Sequence, residues 1–432
     1  MDFIYGYVKS KYTSFLKVNK SYIMSNSYSG AICQVDAEMK QRIEDNDFCV
    51  EDFVLLKNNG FIVPKQQDEY QKILNEETRI LFGYNDCVTV VIAPTLKCNY
   101  CCEYCFEPQK KICTMTDEIQ HKTIDYIKKL VMPRVKKLMV VWFGGEPLLC
   151  MSIIERLSTE LIAFCEESNI EYSSKVISNG YLLTPLNVHK LVSLKVKTIQ
   201  VTLDGKKEFY ERIKKTPPNA YETVIKNITY ASDLVNIAIR LNVQQKHYSQ
   251  LYAFLDELST YFGNKKNVGI YLAEVCQDWH DPNADYQISS YISEKIKCIE
   301  YISKKFPFQM LSLPQIRFKG NNCGLIKKSN IVIGPEGELY RCEHMVGRDQ
   351  EVIGNIEDGL YHNYADQKFY FLGRPEKCKE CFIFPVCMSG CPNDVIESKL
   401  RINCEDKKEE YWFDIKRTLY KKTQTKCNVG GD

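Results

Sequence analysis

The middle of the chain alternates short apolar runs with amphipathic segments. Six seven-residue runs, rich in β-branched side chains, predict strands at 88–94, 138–144, 173–179, 198–204, 237–243 and 268–274. Intervening segments such as 115–130 repeat apolar residues every three or four positions, which is the spacing of a helix with one buried face. This alternation predicts an α/β domain with a parallel sheet over 84–310, most simply a partial (β/α)6 TIM-like barrel.

Two regions with other patterns flank this domain. Residues 1–83 contain short strand-like runs, then two helix-like segments at 36–45 and 50–59, then a short apolar run. That order fits a small winged-helix-like module. Residues 311–432 combine glycine-containing hairpin patterns with closely spaced cysteines. The sequence therefore predicts three domains, with boundaries near residues 83 and 310.

Composition limits the function classes. The 432 residues are 44% hydrophobic and 26% charged, as in globular proteins of two or three domains. The net charge of +2 does not favour nucleic acid or an anionic membrane surface as a partner. Residues 1–83 carry ten Lys and Arg against twelve Asp and Glu, so the winged-helix-like module lacks the basic surface that phosphate binding needs. A peptide-docking or structural role is the better interpretation.

Cysteine content and placement point to metal chemistry. The N-terminal sequence has no basic stretch followed by an apolar run, and no apolar segment approaches the roughly 18 residues of a membrane span, so we expect a cytoplasmic protein. In a reducing compartment, 20 cysteines indicate metal ligation or redox chemistry rather than disulfides. Four of them lie between residues 98 and 105, and seven lie between 323 and 404.

Distinctive short motifs follow four successive predicted strands. A cysteine motif follows the first strand, Gly-Gly-Glu-Pro at 144–147 ends the second, Ser-Asn-Gly at 178–180 ends the third, and Leu-Asp-Gly at 203–205 ends the fourth. Because the carboxyl ends of parallel strands lie at one edge of a sheet, these motifs are expected to converge there. That edge is where barrels of this kind carry their active sites.

The first cysteine motif has the spacing of a cluster-binding triplet. Cys98, Cys102 and Cys105 form C-x3-C-x2-C, and the aromatic Phe106 follows directly. A zinc site would need a fourth ligand, and the nearest histidine, His121, lies sixteen residues downstream in a helical pattern. The triplet, followed by Gly-Gly-Glu-Pro, resembles the signature of the radical S-adenosylmethionine (SAM) enzymes.

The resemblance implies how the motif residues are used. Three thiolates would hold a [4Fe–4S] cluster and leave its fourth iron open to SAM, which is cleaved reductively in this family. The glycines would let the backbone approach the methionine moiety, and a glutamate would accept hydrogen bonds from its ammonium group. Arg212 or Arg240 would pair with its carboxylate, although a solvated helix face is the alternative for Arg212. The predicted SAM contacts are Gly144, Gly145, Glu146, Ser178, Asn179, Asp204 and Arg212.

The C-terminal cysteines form a second pattern. They have the spacing C-x13-G-x4-C and then C-x2-C-x5-C-x3-C, followed by one more cysteine. By spacing alone, two zinc ribbons are an equally good interpretation. The arrangement is similar to the SPASM domain, which in radical SAM enzymes carries two auxiliary [4Fe–4S] clusters. The resemblance implies an inner cluster on Cys323, Cys342 and Cys391 and an outer cluster on Cys378, Cys381, Cys387 and Cys404.

Two positions depart from the anaerobic sulfatase maturases that this pattern resembles. Arg317 stands where those enzymes have a further cysteine, so the inner cluster is expected to have three protein ligands. His344 could fill the fourth place. Alternatively, an open iron would bind a substrate thiolate, as the resemblance to thioether-forming (sactipeptide and ranthipeptide) maturases implies, and we favour this. Glu343 stands where those enzymes have an aspartate proposed as a base, and it could take a proton or only hydrogen bond near the cluster.

Together these features predict a radical SAM peptide maturase with three [4Fe–4S] clusters. The N-terminal module would bind the leader of a ribosomally made, Cys-rich precursor peptide, and the enzyme would form a thioether between a Cys sulfur and a carbon. The resemblance also implies an electron donor such as flavodoxin or ferredoxin. Alternatives are oxidation of a Cys or Ser side chain, carbon–carbon crosslinking, epimerisation, and a zinc-loaded peptide-binding scaffold without catalysis.

Overall fold

The N-terminal region is a small module of strands and helices. The computed structural model describes residues 6–83, 86–105, 112–131, 135–243, 248–274, 292–307, 316–320, 323–396 and 403–427. The module comprises β1 (Tyr7–Lys9), β2 (Thr13–Val18), β3 (Ser21–Asn26), β4 (Ile32–Val35), α1 (Ala37–Glu44), α2 (Val50–Asn58), β5 (Ile62–Pro64) and α3 (Glu69–Phe82). Strands β2, β3 and β4 form an antiparallel sheet, and β1 pairs with β5. This order of strands, two helices and a short strand agrees with the sequence pattern.

The central region alternates strands with helices. Its elements are β6 (Cys87–Ile92), α4 (Asp117–Val131), β7 (Lys137–Trp142), α5 (Met151–Glu167), β8 (Glu171–Ser178), α6 (Pro185–Ser193), β9 (Val196–Thr202), α7 (Lys207–Lys214), α8 (Ala220–Ala231), β10 (Asn236–Val243), α9 (Tyr248–Phe262), β11 (Val268–Glu274) and α10 (Ile292–Lys305). The six strands match the six predicted runs to within two residues at each end. Neighbouring strands are parallel throughout, so the predicted parallel sheet is confirmed.

The C-terminal region continues the same sheet. It contains β12 (Ile331–Ile333), β13 (Glu338–Tyr340), β14 (Gly354–Asn355), β15 (Gly359–Leu360), α11 (Tyr364–Gln367), α12 (Phe384–Cys387), α13 (Pro392–Ile396) and α14 (Cys404–Cys427). Strand β12 pairs in parallel with β6, and β13 to β15 follow as antiparallel neighbours. The predicted six-stranded sheet is therefore the larger part of a ten-stranded one. Among the described helices, none is long and apolar enough to cross a membrane.

The sheet has two unlike faces. One face packs beneath the surrounding helices in the main core, to which Val90, Val140, Ile199 and Ile239 contribute. We call the opposite side the inner face. On β12, β6 and β7 the inner face is apolar, and it packs against side chains of the C-terminal region. On β8 to β11 it is polar, and strand alternation and register there put five side chains on one side. These are Lys175, Gln200, Arg240, Asn242 and Tyr271.

The first and last regions of the chain pack against each other. Ile73 of α3 shares a buried cluster with Phe384 of α12. Arg374 donates to both carboxylate oxygens of Glu77 at 2.6 Å, and both side chains are almost completely buried. Removing either partner would leave a buried charge alone, so this ion pair favours one docking geometry. The N-terminal module therefore rests on the cysteine-rich region.

Candidate functional site

The three cysteines of the predicted cluster motif lie on one loop after β6. Cys98 is exposed, whereas Cys102 and Cys105 are half-buried. Burial raises the pKa of Cys102, and the nearby Cys105 thiol adds to that effect. The Tyr100 amide donates to Sγ of Cys98 at 3.4 Å, a hydrogen bond that favours the thiolate form. Phe106, the aromatic residue after the motif, lies outside the described residues.

The far end of the cysteine loop is attached to α7. The Cys101 amide donates to the carbonyl of Lys214 at 3.1 Å, and the Glu103 amide donates to the carbonyl of Ile213 at 2.9 Å. Carbonyls in the last turn of a helix have no partner within that helix, so the loop satisfies two of them. The end of α7 therefore helps to hold the cysteine loop in place.

The Gly-Gly-Glu-Pro turn lies directly against the start of the cysteine loop. The Gly145 amide donates to the carbonyl of Thr95 at 3.0 Å, and the Glu146 amide donates to the carbonyl of Lys97 at 2.8 Å. A Cβ atom on Gly144 would stand 2.4 Å from the Thr95 carbonyl oxygen, and one on Gly145 would stand 2.1 Å from that of Lys97. Only glycine allows this approach, so the structure brings the two predicted motifs together.

Glu146 joins three strand ends. Its carboxylate accepts from the Ser178 hydroxyl at 2.9 Å, from the Asn179 amide at 2.7 Å and from the Leu148 amide at 3.1 Å. The Asn179 side chain then donates to the Asn99 side chain in the cysteine loop at 2.7 Å. Complete burial raises the pKa of Glu146 to about 7, and the three donors oppose that rise. The carboxylate therefore organises the site from within, and its predicted contact with a SAM ammonium stays a prediction.

A buried cation beside the loop was not foreseen from the sequence. Lys214 Nζ lies 3.4 Å from Asp204 Oδ2, and both side chains are at most 3% exposed. The Tyr104 hydroxyl donates to the same aspartate oxygen. Burial lowers the pKa of Lys214, but Asp204 and Tyr104 outweigh it and the pKa is raised overall, so the ammonium stays charged. Arg212, the predicted cation, is exposed and stacks on the Phe209 ring instead.

Helical periodicity could have identified this lysine. On α7 the buried side chains are Tyr210, Ile213 and Lys214, which recur three and four positions apart. Arg212 falls between them and must point elsewhere. A cation in register with apolar positions is therefore a better candidate for a buried site than its exposed neighbour.

The inner set of C-terminal cysteines comes together in the structure. Burial raises the pKa of Cys342, and the charges of Glu343, Cys323 and Cys391 raise it further. These thiols are thus close enough to repel one another when ionised. Arg317, at the position of the absent cysteine, is exposed beside the N-terminal module.

The outer set of cysteines is also mutually close. Burial raises the pKa of Cys387 to about 11, with added repulsion from Cys381 and Cys378. Cys381 in turn is affected by Cys378 and by Cys404, the first residue of α14. Thiols that are up to 26 positions apart in the sequence are therefore near enough to affect one another's ionisation.

Glu343 and His344 face the polar part of the inner face. Burial raises the pKa of Glu343, while the charges of Lys175 and Arg240 oppose that rise. Burial, with repulsion from Arg240 and Arg348, lowers the pKa of His344 to about 4. The imidazole is therefore neutral near neutral pH, the form in which histidine binds metals.

The donor chemistry of the three cysteine sets fits iron–sulfur clusters. Each set contains only thiols, and thiolates are the ligands of such clusters. In the part of the chain that the structure describes, no group of three or more His, Cys, Asp or Glu side chains is arranged to hold a metal ion as it stands. The Gly-Gly-Glu-Pro turn lies beside the first set, in direct contact with the backbone of the cysteine loop.

Comparison with known proteins identifies the central region. Residues 92–244 match the Radical SAM superfamily model. The radical SAM cyclopropyl synthase TigE of Paramaledivibacter caminithermalis is 27% identical over 216 residues, which are 41% of this chain and 44% of that protein. The match thus spans less than half the length of that relative. The serine-type anaerobic sulfatase-maturating enzyme of Klebsiella aerogenes is 21% identical over 324 residues, 68% of this chain and 77% of that protein.

Two solved structures share the fold over most of the chain. Native anSMEcpe with bound AdoMet and Cp18Cys peptide superposes with a TM-score of 0.59 at 17% identity, over 78% of this chain and 99% of that one. Streptococcus suis SuiB bound to the precursor peptide SuiA superposes with a TM-score of 0.51 at 15% identity, over 91% of this chain and 98% of that one. Residues 92–244 are therefore similar to the radical SAM superfamily, whose model they match.

Proposed function

We propose that this chain is a radical SAM peptide maturase that forms a thioether between a cysteine sulfur and a carbon of a ribosomally made precursor peptide. The observation that carries the proposal is the junction of the cysteine loop with the Gly-Gly-Glu-Pro turn, made by two backbone hydrogen bonds. That junction sets three thiols, two glycines and the Ser-Asn-Gly turn at one edge of a parallel sheet. An edge of this kind is where related folds carry their chemistry.

In this proposal Cys98, Cys102 and Cys105 hold a [4Fe–4S] cluster that supplies the electron for SAM cleavage and hence for hydrogen abstraction. The chain's own residues would position the substrate of that step. Gly144 and Gly145 let the turn lie against the cysteine loop, because a Cβ at either would meet a backbone carbonyl of that loop. The family resemblance implies that the backbone of the same turn would contact the methionine moiety.

Three buried groups would keep this geometry rigid. Glu146 holds the turns after β7 and β8 together, as described above. Lys214 and Asp204 fix the end of α7 on which the cysteine loop is anchored. Lys214 would also offset the negative charge that three thiolates bring to the loop.

The thioether is proposed from the C-terminal cysteines. The inner set has three thiols, and Arg317 occupies the position of a fourth, which leaves one iron of that cluster open to a substrate thiolate. Carbon–sulfur bond formation would break one C–H and one S–H bond. The hydrogen atom would pass to the deoxyadenosyl carbon, the proton to solvent, and the remaining electron to the protein's clusters. Each crosslink therefore removes two hydrogens from the peptide.

The N-terminal module would hold the leader of the precursor peptide. Its small antiparallel sheet and net negative charge suit a peptide partner better than a nucleic acid. Because the module rests on the cysteine-rich region, a leader bound there would bring the following core peptide to the C-terminal clusters. An electron donor such as flavodoxin or ferredoxin would complete the system.

The proposal is tested by intact mass. The enzyme, reconstituted anaerobically with iron and sulfide, is incubated with SAM, a reductant and a cysteine-rich peptide encoded beside its gene. We expect a loss of two hydrogens per event and one cysteine per event that no longer reacts with a thiol-alkylating reagent. Production of 5′-deoxyadenosine without any mass change would contradict the proposed substrate, and absence of iron from the reconstituted protein would contradict the radical chemistry itself.

A second candidate function is oxidation of a serine or cysteine side chain. Glu343 favours it, because this buried carboxylate faces the inner face from the position where sulfatase maturases have their proposed base. Oxidation of a serine also removes two hydrogens, but it leaves every cysteine free to react with the alkylating reagent. Oxidation of a cysteine also consumes a thiol, but it exchanges the sulfur for oxygen and so changes the mass by a different amount. Intact mass and alkylation together therefore separate the two functions.

A further inference from the structure

Among the described residues, two cations on the inner face have neutral hydrogen-bond partners. Lys175 of β8 donates from Nζ to Oε1 of Gln200 at 3.1 Å, and Arg240 of β10 donates from Nε to Oδ1 of Asn242 at 2.9 Å. Among the described residues, no carboxylate lies within ion-pair distance, 4.0 Å, of either cation. Amide oxygens orient such groups but leave their charge unbalanced.

One carboxylate, that of Glu343, acts on both cations from beyond ion-pair distance. Burial lowers the pKa of Lys175, and Arg240 lowers it further, as expected when two like charges share a partly closed space. Within the described part of the chain, both cations therefore lack a carboxylate at ion-pair distance, and each could pair with an anion that enters the inner face.

Lys175 and Arg240 also lie close to the edge of the sheet at which the strands end and the predicted SAM contacts lie. Lys175 is three residues before Ser178 on β8, and Arg240 is level with Thr202, two residues before Asp204. At about 3.3 Å per residue along a strand, the cations lie within about 10 Å of the edge that carries the predicted SAM contacts. Lys175 is level with Thr198 of β9, whereas Arg240 is level with Thr202, so the two cations are staggered along the sheet. An anion held by either would lie near a group that reacts at that edge.

We propose that Lys175 and Arg240 bind a carboxylate of the substrate peptide, on an Asp or Glu close in sequence to the residue that is modified. This inference rests on the proposed function, because it assumes that a peptide enters the inner face. It adds a sequence rule for the substrate, namely an acidic residue near the modified one. The methionine part of SAM also has a carboxylate that these cations could bind. The test must therefore distinguish a carboxylate of the peptide from that of SAM.

The test uses a pair of neutral-capped heptapeptides, acetyl-GSCADAG-amide and acetyl-GSCANAG-amide. Binding to the reconstituted enzyme is measured by equilibrium dialysis with mass-spectrometric quantification, in saturating SAM so that its own carboxylate site is filled. We expect the Asp peptide to bind about tenfold more tightly than the Asn peptide, because a charge-assisted hydrogen bond typically contributes at least that factor.

Variants that replace each cation with a neutral methionine show which of the two produces the preference for the Asp peptide. Lys175→Met and Arg240→Met should each bring the Asp and Asn peptides to within about twofold of each other. Lys197→Met is the matched control, because Lys197 is an exposed lysine near the start of the neighbouring strand β9. It should retain the full preference. Arg240→Glu should reverse the preference toward acetyl-GSCAKAG-amide, and circular dichroism checks that each variant is folded.

Several outcomes would overturn the inference. Equal binding of the Asp and Asn peptides by the wild-type enzyme would do so, as would an unchanged preference in both Met variants. If the variants instead lose affinity for SAM in the same dialysis, without any change in peptide preference, the anion is the SAM carboxylate and the inference fails. Because binding is measured without turnover, it is decided independently of the proposed function, which fails separately if the wild type produces no 5′-deoxyadenosine.

Discussion

The first cysteine loop and the inner C-terminal cysteines place the same kind of thiol in opposite electrostatic surroundings. At the loop, burial raises the pKa of Cys102 but the Lys214 ammonium opposes that rise. At the inner set, burial raises the pKa of Cys342 and Glu343 raises it further. A nearby cation stabilises extra negative charge, whereas a nearby carboxylate disfavours it. We therefore expect clusters bound at these two sites to differ in how readily they accept an electron.

The comparison fails outright if the loop does not bind a cluster. Cys102→Ala should therefore have the largest effect, because it removes one of three ligands. We expect loss of the iron of one cluster and of 5′-deoxyadenosine formation down to background, measured by iron analysis and chromatography. Cys101→Ala is the matched control, since this neighbouring thiol is exposed and outside the motif. Equal loss in both variants, or in neither, would contradict the assignment of the triplet.

Lys214, the buried cation beside the cysteine loop, is the second test of the contrast between the loop and the inner C-terminal cysteines. Lys214→Met leaves the Asp204 carboxylate buried without its partner, which should cost about 3 to 5 kcal/mol of local stability. It should also lower the midpoint potential of the loop cluster by on the order of 100 mV, since one unit charge a few ångströms away is removed. Calorimetry and a redox titration followed by electron paramagnetic resonance measure the two effects. Lys215→Met, one residue further along and exposed, should change neither.

The loop site contains a second buried ionisable group, the carboxyl of Glu146. Burial is the largest influence on its pKa. The pKa of Glu146 is raised to about 7 from its ordinary 4.5. Between pH 4.5 and pH 7 the folded protein keeps a proton on this carboxyl that the unfolded chain has lost. The free energy of unfolding therefore falls as the pH rises through this range, by up to about 3 kcal/mol. Glu146→Gln should remove this slope from thermal midpoints measured between pH 5 and 7.5.

Glu208→Gln provides the control for that measurement, because Glu208 is exposed in the first turn of α7. It should leave the pH dependence of the thermal midpoint as it is in the wild type. A slope that persists in Glu146→Gln would mean that another group titrates in this range.

The smallest predicted effect is a rise in the midpoint potential of a C-terminal cluster, opposite in sign to the fall predicted for the loop cluster in Lys214→Met. Glu343→Gln removes a negative charge beside Cys342, so the midpoint potential of a C-terminal cluster should rise, by tens of millivolts because Lys175 and Arg240 already offset part of that charge. The same redox titration measures it. A shift in the same direction as that of Lys214→Met would remove the contrast between the two sites.

Much of the fold was accessible from local pattern. The six parallel strands follow from period-two and apolar runs, and four motifs were correctly expected at one edge of the sheet. The grouping of the C-terminal thiols into two sets was implied by family resemblance, and both sets are close in space. Local pattern did not single out Lys214, because it was not asked which charged side chains of α7 share a face with the buried apolar ones, and the contact predicted for Arg212 stays a prediction.

Sequence by itself determined which residue types lie at strand ends and how the cysteines are spaced, because both are properties of neighbouring positions. Tertiary structure alone decided that β12 pairs with β6 and that the N-terminal module packs against the cysteine-rich region. It also decided that the Glu146 carboxylate accepts hydrogen bonds from groups of the protein itself. It also divided the inner face into an apolar and a polar part. These outcomes depend on contacts between residues far apart in the chain, and periodicity records only that a side chain is buried, not what it is buried against.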